Sequence, residues 1–225
     1  MLYWAYLVEN QVIPMKNDLF RQNGPLHNFM DKFADCFVLS CMWLLLSLPL
    51  ITIPLACICL YDAMARCTMG AEPGPVKRFW RTAKRELGRG LLMGVEWLIF
   101  GAIFFFCYNY LLAMGQQYEF FKMYSILYLA TMLVPLGVAL WMVPLQSRFY
   151  YGFWELHKVA GTFCLMRLPK TALLVGMLIG FTVLILLVPT TAILILLIPG
   201  FMTLLQTLII EPVFEQYVNE EREND

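Results

Sequence analysis

One acidic residue interrupts a long apolar stretch of this 225-residue sequence. Glu96 lies within residues 91–116, a run that is long enough to cross a membrane and is otherwise uncharged. Carboxylates inside membrane spans are rare and usually paired, and they mark sites of ion coupling or recognition. Because Glu96 lies near the start of the run, it is also within reach of water, or of a structural ion pair with Arg66, Arg89 or Arg148. We take Glu96 as a candidate functional acid and keep both interpretations open.

Positive charge is concentrated just before that run. After Pro75, apolar and basic residues recur at the helical period, which predicts a helix with one apolar face and one cationic face. The apolar residues are Val76, Phe79, Trp80, Ala83 and Leu87, and the basic ones are Lys77, Arg78, Arg81, Lys84, Arg85 and Arg89. Such a helix lies in the membrane interface with its cations near anionic head groups. The alternative is a docking surface for a cytoplasmic partner.

A second amphipathic segment covers residues 148–167. Its apolar residues share one helical face and are Phe149, Phe153, Leu156, Ala160 and Phe163. The two segments together predict amphipathic interfacial helices on the cytoplasmic side. Arg148 joins the six basic residues above as a candidate residue of that interface.

Motifs for enzymatic chemistry are absent from the sequence. It contains no phosphate-binding loop, no Gly-x-Ser-x-Gly string and no His-Glu-x-x-His string. His27 and His157 are isolated, and the seven cysteines include no C-x-x-C pair, so we expect no metal site. We therefore predict no catalytic, cofactor-binding or metal-binding residues, and a protein that is not an enzyme.

The composition indicates a membrane protein. Hydrophobic residues make up 60% of the chain and charged residues 14%, against about 25% charged in soluble domains. The 16 basic residues equal the 16 acidic ones, so the basic excess of a nucleic-acid-binding protein is missing. Uncharged stretches of spanning length predict an all-α, polytopic membrane helix bundle with about five transmembrane helices. The predicted spans are residues 36–61, 91–115, 123–147, 171–188 and 192–210.

The first predicted span contains two prolines. Pro49 and Pro54 indicate either a single kinked span or a re-entrant bend. We favour the single span, which places the N-terminus outside the cell. With a bend, the N-terminus and its three basic residues stay inside.

The distribution of cations predicts the orientation. Twelve of the sixteen Lys and Arg residues lie in residues 61–90, residues 147–170 or the C-terminal tail. By the positive-inside rule, both long loops and the C-terminus are cytoplasmic. We divide the chain into an N-terminal extension (1–24), one integral-membrane domain (25–218) and an acidic tail (219–225).

Several strings, in order along residues 20–218, resemble one known family. GPLxxFMxKxAD ends at Asp35, WLLLSLPLITI begins at Trp43, RLPKTALL begins at Arg167 and PVFEQY begins at Pro212. They resemble the YesL family of bacterial membrane proteins, whose domain has no known function. Departures are a longer N-terminal extension, a shorter and more basic first loop, and Glu96. The resemblance implies the plasma membrane of Gram-positive bacteria and genes encoded beside carbohydrate importers, and it implies no catalytic or binding residue.

Three functional hypotheses follow. The first is a non-catalytic accessory or regulatory component associated with carbohydrate uptake, with permease or other transporter subunits as partners. The second is a small secondary transporter or channel, supported by Glu96, the prolines and a faint repeat between residues 85–94 and 167–176. The third is a lipid-facing membrane enzyme. The expected partners also include the lipid bilayer and a second copy of the chain, and they exclude nucleic acid and cofactors.

Overall fold

The chain folds into helices joined by short connections. The computed structural model describes residues 25–68, 74–187 and 192–224, and within them it contains helices and no strand. The helices are α1 (Pro25–Ser47), α2 (Ile53–Ala63), α3 (Pro75–Gly115), α4 (Glu119–Thr131), α5 (Leu133–Arg148), α6 (Phe153–Met166), α7 (Leu168–Leu187) and α8 (Ala192–Asn224). The predicted all-α class is confirmed. The predicted N-terminal extension and the connection between the fourth and fifth predicted spans lie outside the described residues.

Several segments are long and apolar enough to cross a membrane. Four meet both conditions alone, and they are Leu50–Cys67, Pro75–Gly115, Glu119–Arg148 and Leu197–Tyr217. A fifth consists of α6 and α7 together, which meet at an angle of 99°. Within the described residues the protein is a membrane helix bundle with four to five such segments, as the sequence predicts.

Internal contacts divide the chain into two units, Met1–Asp35 and Cys36–Asp225. The described part of the first unit is the beginning of α1. The helix contacts, the cavity and the ion pairs described below belong to the second unit.

The segment around Pro49 forms a tight turn between two helices. α1 ends at Ser47, one turn of 3-10 helix covers Leu50–Thr52, and α2 begins at Ile53. The Thr52 hydroxyl closes the turn by donating to the Pro49 carbonyl oxygen at 2.7 Å. Pro49 is extended, with φ −78° and ψ 121°, and Pro54 lies at the start of α2. Neither proline therefore removes a hydrogen bond from the interior of a helix.

Side-chain contacts show that α1 and α2 run antiparallel. Near the turn, Trp43 Nε1 lies 3.4 Å from Cys57 Sγ, and farther along, Cys36 Sγ lies 3.8 Å from Met64 Sδ. The single kinked span expected over residues 36–61 is thus replaced by the alternative, a helical hairpin. Pro49 follows the end of α1 and Pro54 lies at the start of α2, so neither proline kinks a helix. The chain reverses direction at the turn, and Met64 therefore lies at the same end of the bundle as Cys36.

α3 joins two regions that the sequence treats as separate elements. It runs without a break through the predicted interfacial helix and the predicted span at 91–115. Its 41 residues extend about 60 Å, roughly twice the thickness of the hydrocarbon core. The predicted apolar stripe of its first turns also divides, because Phe79 and Ala83 are buried while Val76, Trp80 and Leu87 are exposed.

α6 packs on protein through the apolar face that the sequence assigns to the interface. Leu156, Ala160 and Phe163 are buried. The Phe163 ring stacks on Trp141 of α5 with centroids 5.4 Å apart, and it meets Phe214 of α8 edge to face. The bend between α6 and α7 at Arg167 has no counterpart in α3, so the faint repeat between residues 85–94 and 167–176 covers two different local structures.

Candidate functional site

Glu96 and His157 form the one contact that places an acid and an imidazole together in the described part of the chain. Glu96 Oε1 lies 2.5 Å from His157 Nε2, so α3 and the first turns of α6 are joined at this point. The sequence suggested arginine partners for Glu96, and it treated His157 as isolated. Arg148 and Arg89 instead approach other carboxylates, described below.

The hydrogen bonds of the pair determine how many protons it holds. His157 Nδ1 lies 2.8 Å from the carbonyl oxygen of Phe153, and a carbonyl oxygen can only accept, so Nδ1 carries a proton. The contact between Nε2 and Glu96 Oε1 then needs one further proton, on either atom. The pair is therefore neutral overall, either as imidazolium and carboxylate or as imidazole and carboxylic acid.

The second oxygen of Glu96 takes no part in these hydrogen bonds. Glu96 Oε2 is buried and has no hydrogen-bond partner among the described residues. A buried polar oxygen without a partner costs free energy, so Oε2 is the atom of the pair at which a bound molecule could gain a contact.

The pair lies on the wall of a cavity of about 860 Å³. The hairpin, α3, α5, α6, α7 and α8 all contribute to this wall. Most of the lining is apolar, with four aromatic side chains, which are Trp43, Trp97, Phe100 and Phe181. A space of this size accommodates a small organic molecule.

The other polar side chains of the lining already have partners. Thr182 and Thr203 donate to carbonyl oxygens of their own helices, each at 2.8 Å. Gln206 Nε2 donates to the carbonyl oxygen of Leu140 at 3.2 Å and joins α8 to α5. The two Thr hydroxyls have thus used their donors and Gln206 one of its N–H groups, so outside Glu96 and His157 the wall offers a ligand the Thr lone pairs and the rest of one amide group.

Three acids at one end of the bundle bind most of the arginines that the sequence assigned to an interface. Arg85 Nε lies 2.7 Å from Glu86 Oε1, Arg89 Nη1 lies 4.0 Å from Glu86 Oε2, and Arg148 pairs with Glu211 of α8. The third acid is Asp62. We call this end of the bundle the basic end, and it contains Asp62, Arg78, Glu86, Arg148 and Glu211.

Asp62 is the most deeply buried acid of the basic end. Its side chain is 0% exposed. Arg78 donates to its carboxylate through Nε at 2.6 Å and through Nη2 at 3.2 Å, Thr82 donates at 2.5 Å, and Arg66 donates at 3.1 Å. These bonds fix the end of α2 to the start of α3.

Arg85 keeps 46% of its side chain exposed beside Glu86, and three other predicted interface cations are exposed as well. Lys77, Arg81 and Lys84 lie on one side of α3, and no ion pair involves them in the described part of the chain. Trp80 lies beside them and is 52% exposed. We call these four residues the basic face.

Three polar amide side chains within the apolar helices differ in what they join. Gln146 donates to Glu86 at 2.9 Å and Gln206 donates to α5, whereas Asn109 bonds only to its own helix, at Phe105. His157, Glu86 and Glu211 are the residues that the sequence did not single out. Each has a partner on another helix that is 60 or more positions away, and no local pattern reveals these contacts.

Comparison with known proteins gives one match. Residues 36–109 match a family described as "Protein of unknown function, DUF624". The matched residues contain the hairpin, the basic face and Glu96, and they end before His157. No curated protein and no solved structure matches the chain. The match supports a membrane domain of unknown activity.

Proposed function

We propose that the chain is a non-catalytic accessory or regulatory component of a carbohydrate uptake system in the bacterial plasma membrane. The observation that carries the proposal is the basic face. Its cations are exposed and form no ion pair with described residues, whereas neighbouring arginines are bound to buried acids. Within this face, Arg81 and the exposed Trp80 are of the residue types that are enriched at protein–protein interfaces.

The direction of the basic face supports a cytoplasmic partner. At the basic end, α2 meets α3 through Asp62 and Arg78, and α5 meets α8 through Arg148 and Glu211. Most of the cations of the sequence belong to residues 61–90, residues 147–170 and the C-terminal tail. The positive-inside rule places that end in the cytoplasm, where the energy-coupling subunits of importers lie. The resemblance to the YesL family supports carbohydrate uptake as the setting.

The cavity supports an accessory role over transport of the sugar by this chain. A saccharide carries about one hydroxyl group per carbon, and each buried hydroxyl without a partner costs about 1–3 kcal/mol. The lining offers Glu96 and His157, while Thr182, Thr203 and Gln206 are already bonded. A sugar in this cavity would leave most of its hydroxyl groups unsatisfied.

Affinity purification in mild detergent tests the proposal. We expect the native chain to retain permease or ATPase subunits of an importer, and the triple variant Lys77→Glu/Arg81→Glu/Lys84→Glu to lose them. Lys158→Glu, at an exposed cation of α6, is the matched control and should retain them. Recovery of a clean homo-oligomer without importer subunits would contradict the accessory role.

Transport by the chain alone is a second candidate function, and the cavity with its proton-holding pair favours it. Purified chain in liposomes should then move a solute whose chemistry suits an apolar cavity. Accumulation that does not depend on a proton gradient would argue against Glu96 and His157 as the coupling pair.

A further inference from the structure

We propose that the cavity binds an amphiphilic monocation, a molecule with an apolar body and a single positive charge, in exchange for the proton shared by Glu96 and His157. This site does not depend on the accessory role proposed above. It assigns a ligand class to the cavity and a role to the pair on its wall.

The apolar part of the ligand follows from the lining. The volume of about 860 Å³ lies within the range of small-molecule sites, and aliphatic and aromatic side chains form nearly all of the wall. Bound Thr and Gln side chains leave few hydrogen bonds to offer. The favourable contribution to binding is therefore burial of apolar surface.

The charge of the ligand follows from the protons on the pair. His157 Nδ1 donates its proton to the carbonyl oxygen of Phe153, and the single proton between Nε2 and Glu96 Oε1 keeps the pair neutral. If that proton leaves for the solvent, one negative charge stays on the cavity wall. A bound cation offsets this charge, so the net charge of the site is the same before and after the exchange.

No other described side chain of the cavity wall is placed to offset the positive charge of the ligand. Among the lining residues, α5, α7 and α8 contribute no charged side chain, and the hairpin contributes one titratable group, the Cys57 thiol, which accepts a hydrogen bond from Trp43 Nε1. Glu96 is 33% exposed and can be reached from the cavity. The faces of Trp43, Trp97, Phe100 and Phe181 add favourable contacts for a positive charge.

Two probes of nearly equal size and opposite charge test the assignment on the native protein. Tetraphenylphosphonium and tetraphenylborate are titrated into the purified full-length chain by calorimetry in detergent, with protein-free micelles as the blank. We expect saturable 1:1 binding of the cation alone, and release of one proton per cation, shown by repeating the titration in buffers of different ionisation enthalpy. If one proton is exchanged, the dissociation constant for the cation rises about tenfold for each unit by which the pH is lowered. This holds over the pH range in which the free pair is protonated.

Three variants test separately whether binding depends on the carboxylate of Glu96 or on the volume of the cavity. Glu96→Gln should weaken tetraphenylphosphonium at least about tenfold and abolish proton release, because no carboxylate remains to offset the cation. Gly101 lines the cavity and has open space where a side chain would begin, so Gly101→Leu should weaken binding by filling the cavity. Glu119→Gln, at an exposed acid outside the lining, should bind as the native chain does.

The results that overturn the proposal do not depend on any variant folding. Equal binding of the two probes would show apolar partitioning alone, and preference for tetraphenylborate would show an anion site. Cation binding without proton release, or the absence of saturable cation binding, would show that no exchange of cation for proton takes place.

Discussion

The carbonyl oxygen of Ile51, at the tip of the α1–α2 hairpin, lies so close to Gly94 that α3 has no room there for a side chain. An ideal Cβ built on Gly94 overlaps this oxygen, and one built on Gly90 comes within 2.7 Å of Leu55 Cβ. Two glycines one turn apart thus allow the hairpin to pack along the first part of α3. The approach at Gly94 involves backbone atoms, which cannot move aside as a flexible side chain can.

Gly94→Ala should destabilise the protein because the added methyl group must push the hairpin away from α3. Overpacking of this kind costs about 1–3 kcal/mol, so we expect a lower apparent melting temperature in detergent, followed by tryptophan fluorescence. Gly88→Ala is the matched control, since Gly88 is exposed in the same helix with nothing within 4 Å of a new Cβ. The control should gain up to about 1 kcal/mol from helix propensity. Similar melting temperatures for both variants would show that the hairpin does not pack here.

The hairpin also predicts on which side of the membrane the N-terminus lies. Cys36 lies beside Met64, and the first 35 residues contain no uncharged run long enough to span a bilayer. Reporters fused before Met1 and after Asp225 should therefore report the same side. A reporter inserted at Gln117, between α3 and α4, should report the opposite side. Opposite sides for the two termini would restore the single span over residues 36–61.

The ion pair between Asp62 and Arg78 should contribute more to stability than a surface pair does. The Asp62 side chain is 0% exposed and that of Arg78 is 12% exposed. Replacing one partner of a buried pair costs about 3–5 kcal/mol, so Asp62→Asn and Arg78→Gln should each lower the melting temperature strongly. The double variant should lose much less than the two effects added together, because both single changes disrupt the same bonds.

Glu119→Gln, at an exposed acid of α4, is the reference for this cycle and should leave the melting temperature nearly unchanged. Strict additivity of Asp62→Asn and Arg78→Gln would indicate that the carboxylate and the guanidinium act independently.

The sequence predicts the membrane bundle better than the paths of its helices. Uncharged runs of spanning length are a property of the local sequence, and they correctly indicate the class of fold. Pro49 and Pro54 are compatible with either a kink or a turn, and the choice depends on contacts between distant residues such as Cys36 and Met64. Hydrophobic periodicity finds the apolar face of α6, but it cannot tell whether lipid or protein covers that face.

The residues of the candidate site likewise differ in whether the local sequence reveals them. Glu96 is visible in the sequence because a charge within an apolar run is unusual. His157 is not visible, since it is 61 positions away on a helix that its own pattern assigns to the membrane interface. Which cations of α3 are paired depends in part on Asp62 of α2, which the sequence of α3 does not contain, whereas Arg85 and Arg89 pair with Glu86 of α3 itself.

A buried hydrogen bond at the α6–α7 bend provides a last prediction. Trp141 of α5 is fully buried, and its Nε1 donates to Thr171 Oγ1 at 2.9 Å. The Thr171 hydroxyl lies 3.1 Å from the carbonyl oxygen of Cys164 and 3.2 Å from that of Arg167. One hydroxyl group thus accepts from α5 and donates to the chain at the bend, so it connects the three helices α5, α6 and α7.

Thr171→Val keeps the shape of the side chain and removes both roles of the hydroxyl. The indole N–H of Trp141 then stays buried without its acceptor, which costs about 1–3 kcal/mol, so the melting temperature in detergent should fall. Thr162→Val makes the same chemical change at an exposed hydroxyl that donates to Lys158 of its own helix at 2.9 Å, and it should have little effect. Equal effects of the two variants would mean that the angle between α6 and α7 is held by apolar packing around Phe163 and not by this bond.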